Sequence, residues 1–560
     1  MQRLLNVFNK EYGGLHEAAY LLGAFAIFSQ VLALVRDRLL AGTFGAGAEL
    51  DIYYTAFRIP DFIYVTVASL VSSAVVIPFF IKRFGGGNHN EIIAARAFIN
   101  SLFTAFIIFI LFISIIVWIF MPFFAEIIAP GFDTDMTSKL IFLSRILLLS
   151  PILLGVSNLF GTITQSFRRF FVYAISPVVY NVGIIIGILA FGQEFGISGV
   201  VFGVIIGATF HVAIQAPTVF NEGFLPIFSK IKIYEIKEVI MSSIPRTIAL
   251  SAAHLVLIFF IALASSMGEG SIAVFNFAFN LQSVPLSIIG VSYSVAAFPT
   301  LARLFVNGDR GEFISNVIEA ARHIIFWSLP VLVLFIVLRA QIVRTILGTG
   351  YFDWSDTRLV AAGLALFSVS VVAQGLVLLF VRGYYAAGNT RTPLFVNIFS
   401  SAIMIISVFI LLSFFREFPL FKFFIEDILR VSYLNGTEVL MLPLAFSVGS
   451  IINALILWVL FRRDFNLSVL HLRKTFFHSF AGSMFMGFVA YRFLEIFDNI
   501  FNINTFFGIF FQGLLSGILG IIAGLIFLHL LKNQEISDIW ESLHHRFWRV
   551  ETVAPEQNEL

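Results

Sequence analysis

The sequence predicts an all-α polytopic membrane protein with about fourteen transmembrane helices, and three observations support this. Hydrophobic residues make up 59% of the 560 residues and charged residues only 12%, against roughly 45–50% and 25% in soluble domains. The mean hydropathy of +0.96 is too apolar for a chain that folds in water. The apolar residues also fall into runs of about 20, the length that crosses roughly 30 Å of hydrocarbon.

These apolar runs follow one another with short polar connections, and each predicts one span. They lie at residues 17–36, 52–80, 92–122, 140–164, 172–192, 197–220, 243–266, 271–302, 320–340, 358–386, 393–415, 440–461, 475–497 and 506–531. The segment before the first run has no cleavage site of A-x-A type. We therefore expect no signal peptide, and we expect the first span to remain as an anchor.

The distribution of lysine and arginine predicts the orientation. With the N-terminus in the cytoplasm, 19 basic residues fall in the inner connections and 10 in the outer ones. Because cytoplasmic connections carry an excess of positive charge, both termini are expected to be cytoplasmic. The net charge of +2 leaves no basic surplus for binding a nucleic acid. The absence of Cys excludes disulfides and thiolate metal sites.

Several segments recur at nearly one offset, which indicates an internal duplication. The matches are residues 56–59 with 278–281 (offset 222), 73–84 with 294–305 (offset 221), Gly161 and Arg169 with Gly383 and Arg391 (offset 222), and the loop around Gly131 with that around Gly350 (offset 219). About six spans in each copy give both copies the same orientation, so we expect two parallel six-helix lobes followed by two further helices. The predicted domains are an N-lobe (1–235), a C-lobe (236–465), the last two spans (466–532) and a cytoplasmic tail (533–560).

Two parallel lobes that face each other across a cavity are typical of alternating-access transporters. The alternative is a duplicated bundle that is kept for packing alone. Charged side chains within the spans are the candidate functional residues, because each costs about 2.5–3.5 kcal/mol at the centre of a span unless it has a partner or a wet cavity.

Arg58 is the strongest candidate, since it lies in an apolar run and Asn280 occupies its position in the second repeat. Arg36 is the next, because arginine can bind a phosphate through two parallel hydrogen bonds. The alternative for Arg36 is an ion pair with Asp37 or Asp51 at the edge of the membrane.

Other polar positions favour structural roles. For Arg145 and Arg382 we expect an ion pair or a carbonyl contact within the protein. We expect no acidic residue deep within either lobe, which argues against a cation-coupled drug exporter. The glycines of segment 85–87 lack the Lys-Ser/Thr of a phosphate-binding loop, and the histidines lack metal-ligand spacing. We therefore expect neither a nucleotide-driven pump nor a hydrolase, and no cofactor or metal.

Short motifs spread along the spans resemble those of one transporter family. They are Ser29-Gln30-Val-Leu-Ala-Leu-Val-Arg36-Asp37, Phe44-Gly45-Ala-Gly47, Asp51, Ala56-Phe-Arg58-Ile-Pro60, Ala129-Pro130-Gly131-Phe132, Glu269-Gly-Ser271, Phe298-Pro299 and Gly388-Asn389-Thr390-Arg391-Thr-Pro393. Together they resemble the MurJ (MviN) lipid II flippases of the multidrug/oligosaccharidyl-lipid/polysaccharide exporter superfamily. The last motif closely matches a family pattern of the form G-D-T-R-T-P, and the resemblance extends from about residue 20 to about residue 465.

This resemblance implies a cationic cavity between two six-helix lobes and a groove for a polyprenyl tail formed by the last two helices. The implied substrate is undecaprenyl diphosphate bearing the disaccharide-pentapeptide of peptidoglycan, whose head cannot cross hydrocarbon without polar partners. Membrane lipids and cell-wall synthases are further implied partners, in a bacterial cytoplasmic membrane. The implied residues are Arg36, Arg58, Gln30 and Asn280 for the diphosphate or cavity, and Asp37, Asp51 and Ser29 for cavity or gating roles.

Four features depart from the family pattern. Gln30 stands where members carry an arginine, about one turn and a half before Arg36. Asn280 replaces an arginine of the eighth span, and the basic pair of the second span falls near Tyr64. The acid that some members use for sodium falls near Phe260, so the resemblance argues against sodium. Since the sequence has no motif of a nucleotide-driven pump, the energy source is expected to be an ion gradient, the membrane potential or the substrate's own gradient.

We therefore predict a lipid II flippase that works by alternating access and is not an enzyme. Within the same superfamily, the alternatives are a flippase for another polyprenyl-linked oligosaccharide and a drug exporter. From a different class, the alternative is a transport-inactive scaffold for cell-wall enzymes. A membrane glycosyltransferase would present catalytic groups on a long external loop, and the longest connection here, 416–439, is modest.

Overall fold

Every regular element that the computed structural model describes is a helix. The structure describes residues 15–67, 71, 73–85, 88–466, 470–533 and 535–536. The helices are α1 Leu15–Phe44, α2 Ala48–Ala56, α3 Arg58–Thr66, α4 Ser73–Phe84, α5 His89–Ile128, α6 Thr134–Leu147, α7 Leu149–Ser166, α8 Phe170–Ile186, α9 Gly192–Phe195, α10 Ile197–Ala213, α11 Ala216–Asn221, α12 Ile233–Ala264, α13 Ser271–Pro285, α14 Ser292–Asn307, α15 Arg310–Val337, α16 Arg339–Leu347, α17 Trp354–Ser368, α18 Val371–Ala386, α19 Arg391–Glu417, α20 Pro419–Ile428, α21 Met441–Phe465, α22 Leu470–Asp498 and α23 Phe506–Leu530. Short π-helical turns at Gly187–Phe191 and Leu286–Val291 follow α8 and α13, and a 3₁₀ turn at Thr437–Leu440 precedes α21.

The residues that the structure describes contain ten helical segments that are long and apolar enough to cross a membrane. The bent pair α17 and α18, with 43° between its members, gives an eleventh when it is counted as one span. The protein is therefore an all-helical, multi-pass membrane protein, as the composition predicts. The other three predicted spans coincide with α1, with α2 to α4 and with α12, so the figure of fourteen stays a prediction. Residues 1–14 and most of the predicted tail lie outside the described residues.

Local structure recurs along the chain about 220 residues apart. Paired helices begin at His89 and Arg310, at Thr134 and Trp354, and at Phe170 and Arg391. The caps recur as well. Asp133 Oδ1 accepts a hydrogen bond from the Met136 amide at 2.8 Å, and Asp353 Oδ1 accepts one from the Asp356 amide at 2.8 Å. These pairs agree with the duplication seen in the sequence, while the domain limits stay a prediction.

The chain divides into two compact units. The first comprises Met1–Val284, Val343–Phe367 and Thr390–Ile452, and the second Pro285–Ile342, Ser368–Asn389 and Asn453–Leu560. In the second unit α22 packs against α15 and α23.

In the first unit, glycines allow α8 and α10 to approach closely. A Cβ atom at Gly183 would lie 2.3 Å from the Gly207 Cα, and one at Gly203 would lie 2.5 Å from the Gly187 Cα. Small residues four apart on both helices are the usual basis of such contacts within membranes. Since α8 also packs against α1, this contact fixes the helix that faces Arg36.

Candidate functional site

Arg36 of α1 is bound by side chains of two helices. Its Nε and Nη2 atoms donate to Asp37 Oδ1 at 3.0 and 2.8 Å, and its Nη1 donates to Asn181 Oδ1 of α8 at 3.2 Å. The Arg36 side chain keeps 21% of its surface exposed, whereas Asp37 keeps 4%. This structure therefore contains the ion pair with Asp37 that the sequence left as an alternative.

The contacts of Arg36 extend into a chain of polar groups that links α1, α8 and α13. Asn280 Nδ2 of α13 donates to the second oxygen of Asp37, Oδ2, at 3.0 Å. Asn181 Nδ2 donates to Ser29 Oγ of α1 at 3.2 Å. Most of the predicted cavity residues thus meet in one network, and Gln30 is half-buried beside Ser29.

Arg58 begins α3 and contacts a different asparagine from the one that the repeat suggests. Its Nη2 donates to Asn276 Oδ1, one turn before Asn280 on α13. The buried Nε atom of Arg58 has no hydrogen-bond partner among the described residues. Asp61 lies one turn further along α3, and Pro60 is buried in its first turn. Arg58 therefore keeps one donor available.

The expectation that no acid lies deep within a lobe is wrong. Asp37 and Asp51 are only 3% and 2% exposed. Burial is tolerated because both carboxylates are hydrogen-bonded, Asp37 by Arg36 and Asn280 and Asp51 by backbone amides. Both lie near the ends of apolar runs, where a sequence pattern cannot show that another helix covers them.

Asp51 of α2 caps the N-terminus of α13. Its Oδ2 accepts from the Gly270 amide at 2.7 Å and its Oδ1 from the Ala273 amide at 2.8 Å. In return, Glu269 Oε1 accepts from the Ala48 amide at the start of α2 at 3.1 Å. Carboxylates are favourable at helix N-termini because the first amides have no partner within the helix. The starts of these two repeat-related helices therefore bind each other reciprocally.

The two glycine loops of the repeat contact helix ends at comparable positions. The Gly131 amide donates to Ser265 Oγ at 3.2 Å, and a Cβ atom at Gly131 would lie 2.2 Å from the Ser265 carbonyl oxygen. The Tyr351 amide donates to the Gly42 carbonyl at 3.0 Å, and a Cβ atom at Gly350 would lie 2.0 Å from that oxygen. Neither contact leaves room for a side chain on the loop glycine.

Three other arginines bind backbone carbonyls. Arg145 Nε donates to Trp118 O at 3.0 Å, Arg382 Nη1 to Val291 O at 3.5 Å, and Arg38 Nη1 to Ile346 O at 3.1 Å. The expectation of a carbonyl contact is confirmed for Arg145 and Arg382.

The remaining family-like residues form turns and helix starts. Gly45 and Gly47 lie in the turn between α1 and α2, whose Ala46 amide donates to Asp356 Oδ2 at 3.3 Å. Pro130 precedes the Gly131 contact, and Pro299 lies inside α14.

The segment Gly388-Asn389-Thr390 joins α18 to α19, which begins with Arg391 and a buried Pro393. The Asn389 amide closes α18 by donating to the Tyr384 carbonyl at 2.9 Å.

Two polar residues of this site were missed at the level of sequence, Asn181 and Asn276. Each lies in a mainly apolar helix, and Asn276 is one turn before a residue already singled out. A search for uncharged amides within spans would have found both.

A family model described as lipid II flippase MurJ matches residues 40–512. The chain belongs to the lipid II flippase MurJ family. It is therefore a transporter and not an enzyme, and the family acts in peptidoglycan biosynthesis. This confirms the resemblance seen in the sequence motifs.

Relatives in several bacteria have the same description. A probable lipid II flippase MurJ of Rhizobium tropici is 26% identical over 387 residues, which cover 67% of this chain and 71% of the relative. One of Thermotoga maritima is 26% identical over 388 residues, 69% of this chain and 77% of the relative. The lipid II flippase MurJ of Burkholderia cenocepacia is 23% identical over 388 residues, 68% and 75% of the two chains.

Solved structures show the same fold. A lipid II flippase MurJ in an inward closed conformation has a TM-score of 0.71 at 21% identity and covers 94% of this chain and 99% of its own. An inward-facing multidrug resistance transporter of the MATE family has a TM-score of 0.64 at 13% identity, with 78% and 94% covered. The fold is thus shared by MurJ and MATE transporters.

Proposed function

We propose that this MurJ-family chain moves lipid II across the bacterial cytoplasmic membrane by alternating access, with Arg36 as the main group that binds the diphosphate. The observation that supports this most directly is the polar network around Arg36. The Arg36 guanidinium is held by the side chains of Asp37 and Asn181 and keeps part of its surface exposed. The family implies the substrate class, and the polar network around Arg36 supports a binding site for the diphosphate.

Binding would exchange the partners of Arg36. The guanidinium now donates to Asp37 and Asn181, and a diphosphate offers oxygens in the spacing that accepts two parallel hydrogen bonds. Asp37 would keep its bond from Asn280 as Arg36 turns to the substrate. Arg58, with its free Nε donor, is the second residue that we propose for the headgroup, and Gln30 supplies a neutral polar group near Ser29.

The contacts between α2 and α13 would form a gate at one end of the bundle. In the predicted topology this end is the outer one, and we propose that the bonded state described here is closed to the outside. Opening would break the two bonds of Asp51 and the single bond of Glu269, and water would then satisfy the freed amides. Since a hydrogen bond to a charged group contributes about 1.5–3 kcal/mol net, tighter binding of the substrate to one state would be enough to bias such a gate.

The proposed architecture has two parallel lobes over residues 1–235 and 236–465 and a lipid-tail groove in 466–532, with both termini cytoplasmic. The paired helix starts and the reciprocal caps support two copies in one orientation. The tail would stay in lipid while the headgroup crosses. We propose the membrane potential or an ion gradient other than sodium as the energy source.

Complementation of a bacterial strain depleted of its own MurJ tests this function. Arg36→Ala should abolish growth while membrane expression stays normal. Arg463→Ala is the matched control, because Arg463 also pairs with the next residue, Asp464, but on an exposed surface. Full activity of Arg36→Ala would contradict the role of Arg36. Failure of the wild-type chain to complement would favour the transport-inactive scaffold or another polyprenyl-linked substrate.

A further inference from the structure

The connection between α19 and α21 contains a helix, α20, whose solvent-facing side is apolar. The backbone leaves helical geometry at Phe418, with φ −113° and ψ 96°, and Pro419 starts the new helix. Leu420, Phe423, Phe424 and Ile428 are each more than half exposed. At a spacing of three, one and four residues, these four side chains share one face of the helix.

The opposite face of α20 is fixed to the protein. Ile425 and Leu429 are buried there. Thr437 Oγ1 donates to the buried Glu426 carboxylate at 2.6 Å, and Arg358 Nε donates to the carbonyl of Arg430, just after the helix, at 2.9 Å. The apolar face is therefore held in a defined orientation.

The exposed apolar surface of α20 continues that of the spanning helix before it. Ile406, Ile410, Phe414 and Phe418 follow one another at intervals of four residues and are all exposed. The rings of Phe414 and Phe418 stack with centroids 5.1 Å apart. On a spanning helix such a row faces lipid, so the continuous surface points to lipid as the occupant of the α20 face.

Charged groups limit how deeply the helix can lie. Asp427 is on the exposed face near the C-terminal end, and Lys422 is at its side with a half-exposed chain. A helix with one exposed apolar face, and with charged residues at the edge and the C-terminal end of that face, is suited to the boundary between acyl chains and headgroups. Its N-terminal turn would then lie deepest. The long side chain of Lys422 can extend from the N-terminal turn to the headgroups.

We propose that α20 is an interfacial helix that inserts Leu420, Phe423 and Phe424 into the membrane leaflet at the predicted outer side, with Lys422 and Asp427 at headgroup level. The helix would attach the connected ends of α19 and α21 to the membrane surface. This proposal concerns a surface remote from Arg36 in sequence and does not depend on the transported substrate.

Because the chain has no Cys, a single introduced cysteine can be labelled at a chosen position without background labelling. Phe423→Cys is labelled with an environment-sensitive fluorophore in the full chain, in vesicles of phosphatidylethanolamine and phosphatidylglycerol. Ile410→Cys in α19 is the control for lipid exposure, and Asp135→Cys, whose side chain is 75% exposed at the start of α6, is the control for water exposure. Nitroxide-bearing lipids should quench the label at Phe423 at least about half as strongly as the label at Ile410, and aqueous iodide should quench it several-fold less than the label at Asp135.

A label at Phe423 that behaves like the label at Asp135 would overturn the proposal. A label shielded from both quenchers, together with disulfide-linked dimers of Phe423→Cys, would overturn it in favour of a second copy of the chain. Shielding from both quenchers without dimers would overturn it in favour of another protein. All these results are separable from transport, because the readout is quenching and requires no lipid II.

Discussion

Arg36 donates two hydrogen bonds to one oxygen of Asp37, the residue that follows it on α1. Neighbours in a helix do not share a face, so the guanidinium must reach around the helix to make this contact. The same arrangement occurs at Arg463 and Asp464, where Nε and Oδ1 are 2.9 Å apart but the arginine is 72% exposed. The Arg36 pair is thus largely buried, whereas the Arg463 pair lies on an exposed surface.

This relationship predicts that Arg36→Lys impairs transport without unfolding the protein. Lysine keeps the charge but loses the planar pair of donors that a diphosphate requires. We expect flipping of lipid II in proteoliposomes to fall by about tenfold or more, which corresponds to about 1.4 kcal/mol. The unfolding temperature should change little. Arg463→Lys should keep full activity, and equal loss in both variants would contradict a specific role for Arg36.

The reciprocal caps predict that Asp51→Asn opens the end where α2 meets α13. The amide cannot replace two charge-assisted bonds, and losing them costs about 1.5–3 kcal/mol. The readout is labelling of Val274→Cys, a residue only 3% exposed one turn into α13, by an impermeant maleimide. We expect the labelling rate to rise about tenfold or more.

Asp133→Asn provides the control for this experiment. Asp133 is also an N-cap, but it binds an amide of its own helix. It should leave the labelling rate of Val274→Cys unchanged. A rate that stays the same in Asp51→Asn would show that the caps do not hold this end closed.

Gly350→Ala is expected to disrupt the loop contact on Gly42. Its φ is +55°, which a side chain disfavours, and its Cβ would overlap the Gly42 carbonyl oxygen. Gly388→Ala is the matched control, since its φ is +74° but nothing lies within 4 Å of its Cβ. Both variants suffer backbone strain of about 1–2 kcal/mol, but only Gly350→Ala should speed labelling of Val274→Cys. Equal labelling rates of Val274→Cys in Gly350→Ala and Gly388→Ala would contradict a role for the contact between Gly350 and the Gly42 carbonyl oxygen.

Gly203→Val should destabilise the packing of α8 on α10. The added carbons meet the Gly187 backbone, and overpacking of this kind costs about 1–3 kcal/mol or more. We expect a lower unfolding temperature in detergent and a smaller monodisperse peak on size-exclusion chromatography. Gly23→Val places the same side chain on α1 where nothing lies within 4 Å, and it should behave as the wild type. An equal loss of stability in Gly203→Val and Gly23→Val would argue against the close approach of α8 and α10.

Glu535, beyond the last span, predicts a pH dependence. Burial acts to raise the pKa of its carboxyl, but hydrogen bonds from Thr475 and Arg322 outweigh burial and hold the pKa below its ordinary value. The folded state therefore binds the proton less readily than the unfolded state. The resulting stability is present above about pH 4.3, the ordinary pKa of glutamate, and is lost as the pH falls through the lower folded pKa.

The unfolding temperature between about pH 3 and 7 checks this dependence. The wild type should lose stability towards acid more steeply than Glu535→Gln, and the two curves should converge at the acidic end. Glu495→Gln removes an exposed partner of Arg492 and should follow the wild type. Parallel curves for the wild type and Glu535→Gln would contradict a depressed pKa.

Hydropathy predicts the helical, membrane-spanning class of this chain because spans must be long and apolar. The duplication is visible at the level of sequence because repeat-related residues such as Gly131 and Gly350 occupy equivalent tight contacts. The family follows from short motifs such as the one that ends at Pro393.

The partners of the polar residues could not be derived in this way. Arg58 reaches Asn276 and not its repeat counterpart Asn280, because the contact depends on the rotation of α3 against α13. The burial of Asp51 depends on backbone amides of α13. Every residue except proline has such an amide, so the sequence does not show which amides will bind the carboxylate. Sequence periodicity gives the face of a helix, but not the helix that will cover it.

Native mass spectrometry of the purified full chain tests the central claim, that Arg36 exchanges Asp37 for a diphosphate. The account predicts a co-purified polyprenyl-diphosphate adduct with the mass of lipid II in the wild type and in Arg463→Lys. It predicts that the adduct is at least about tenfold weaker in Arg36→Lys. An adduct of equal abundance in all three proteins, or none in the wild type supplied with lipid II, would contradict it.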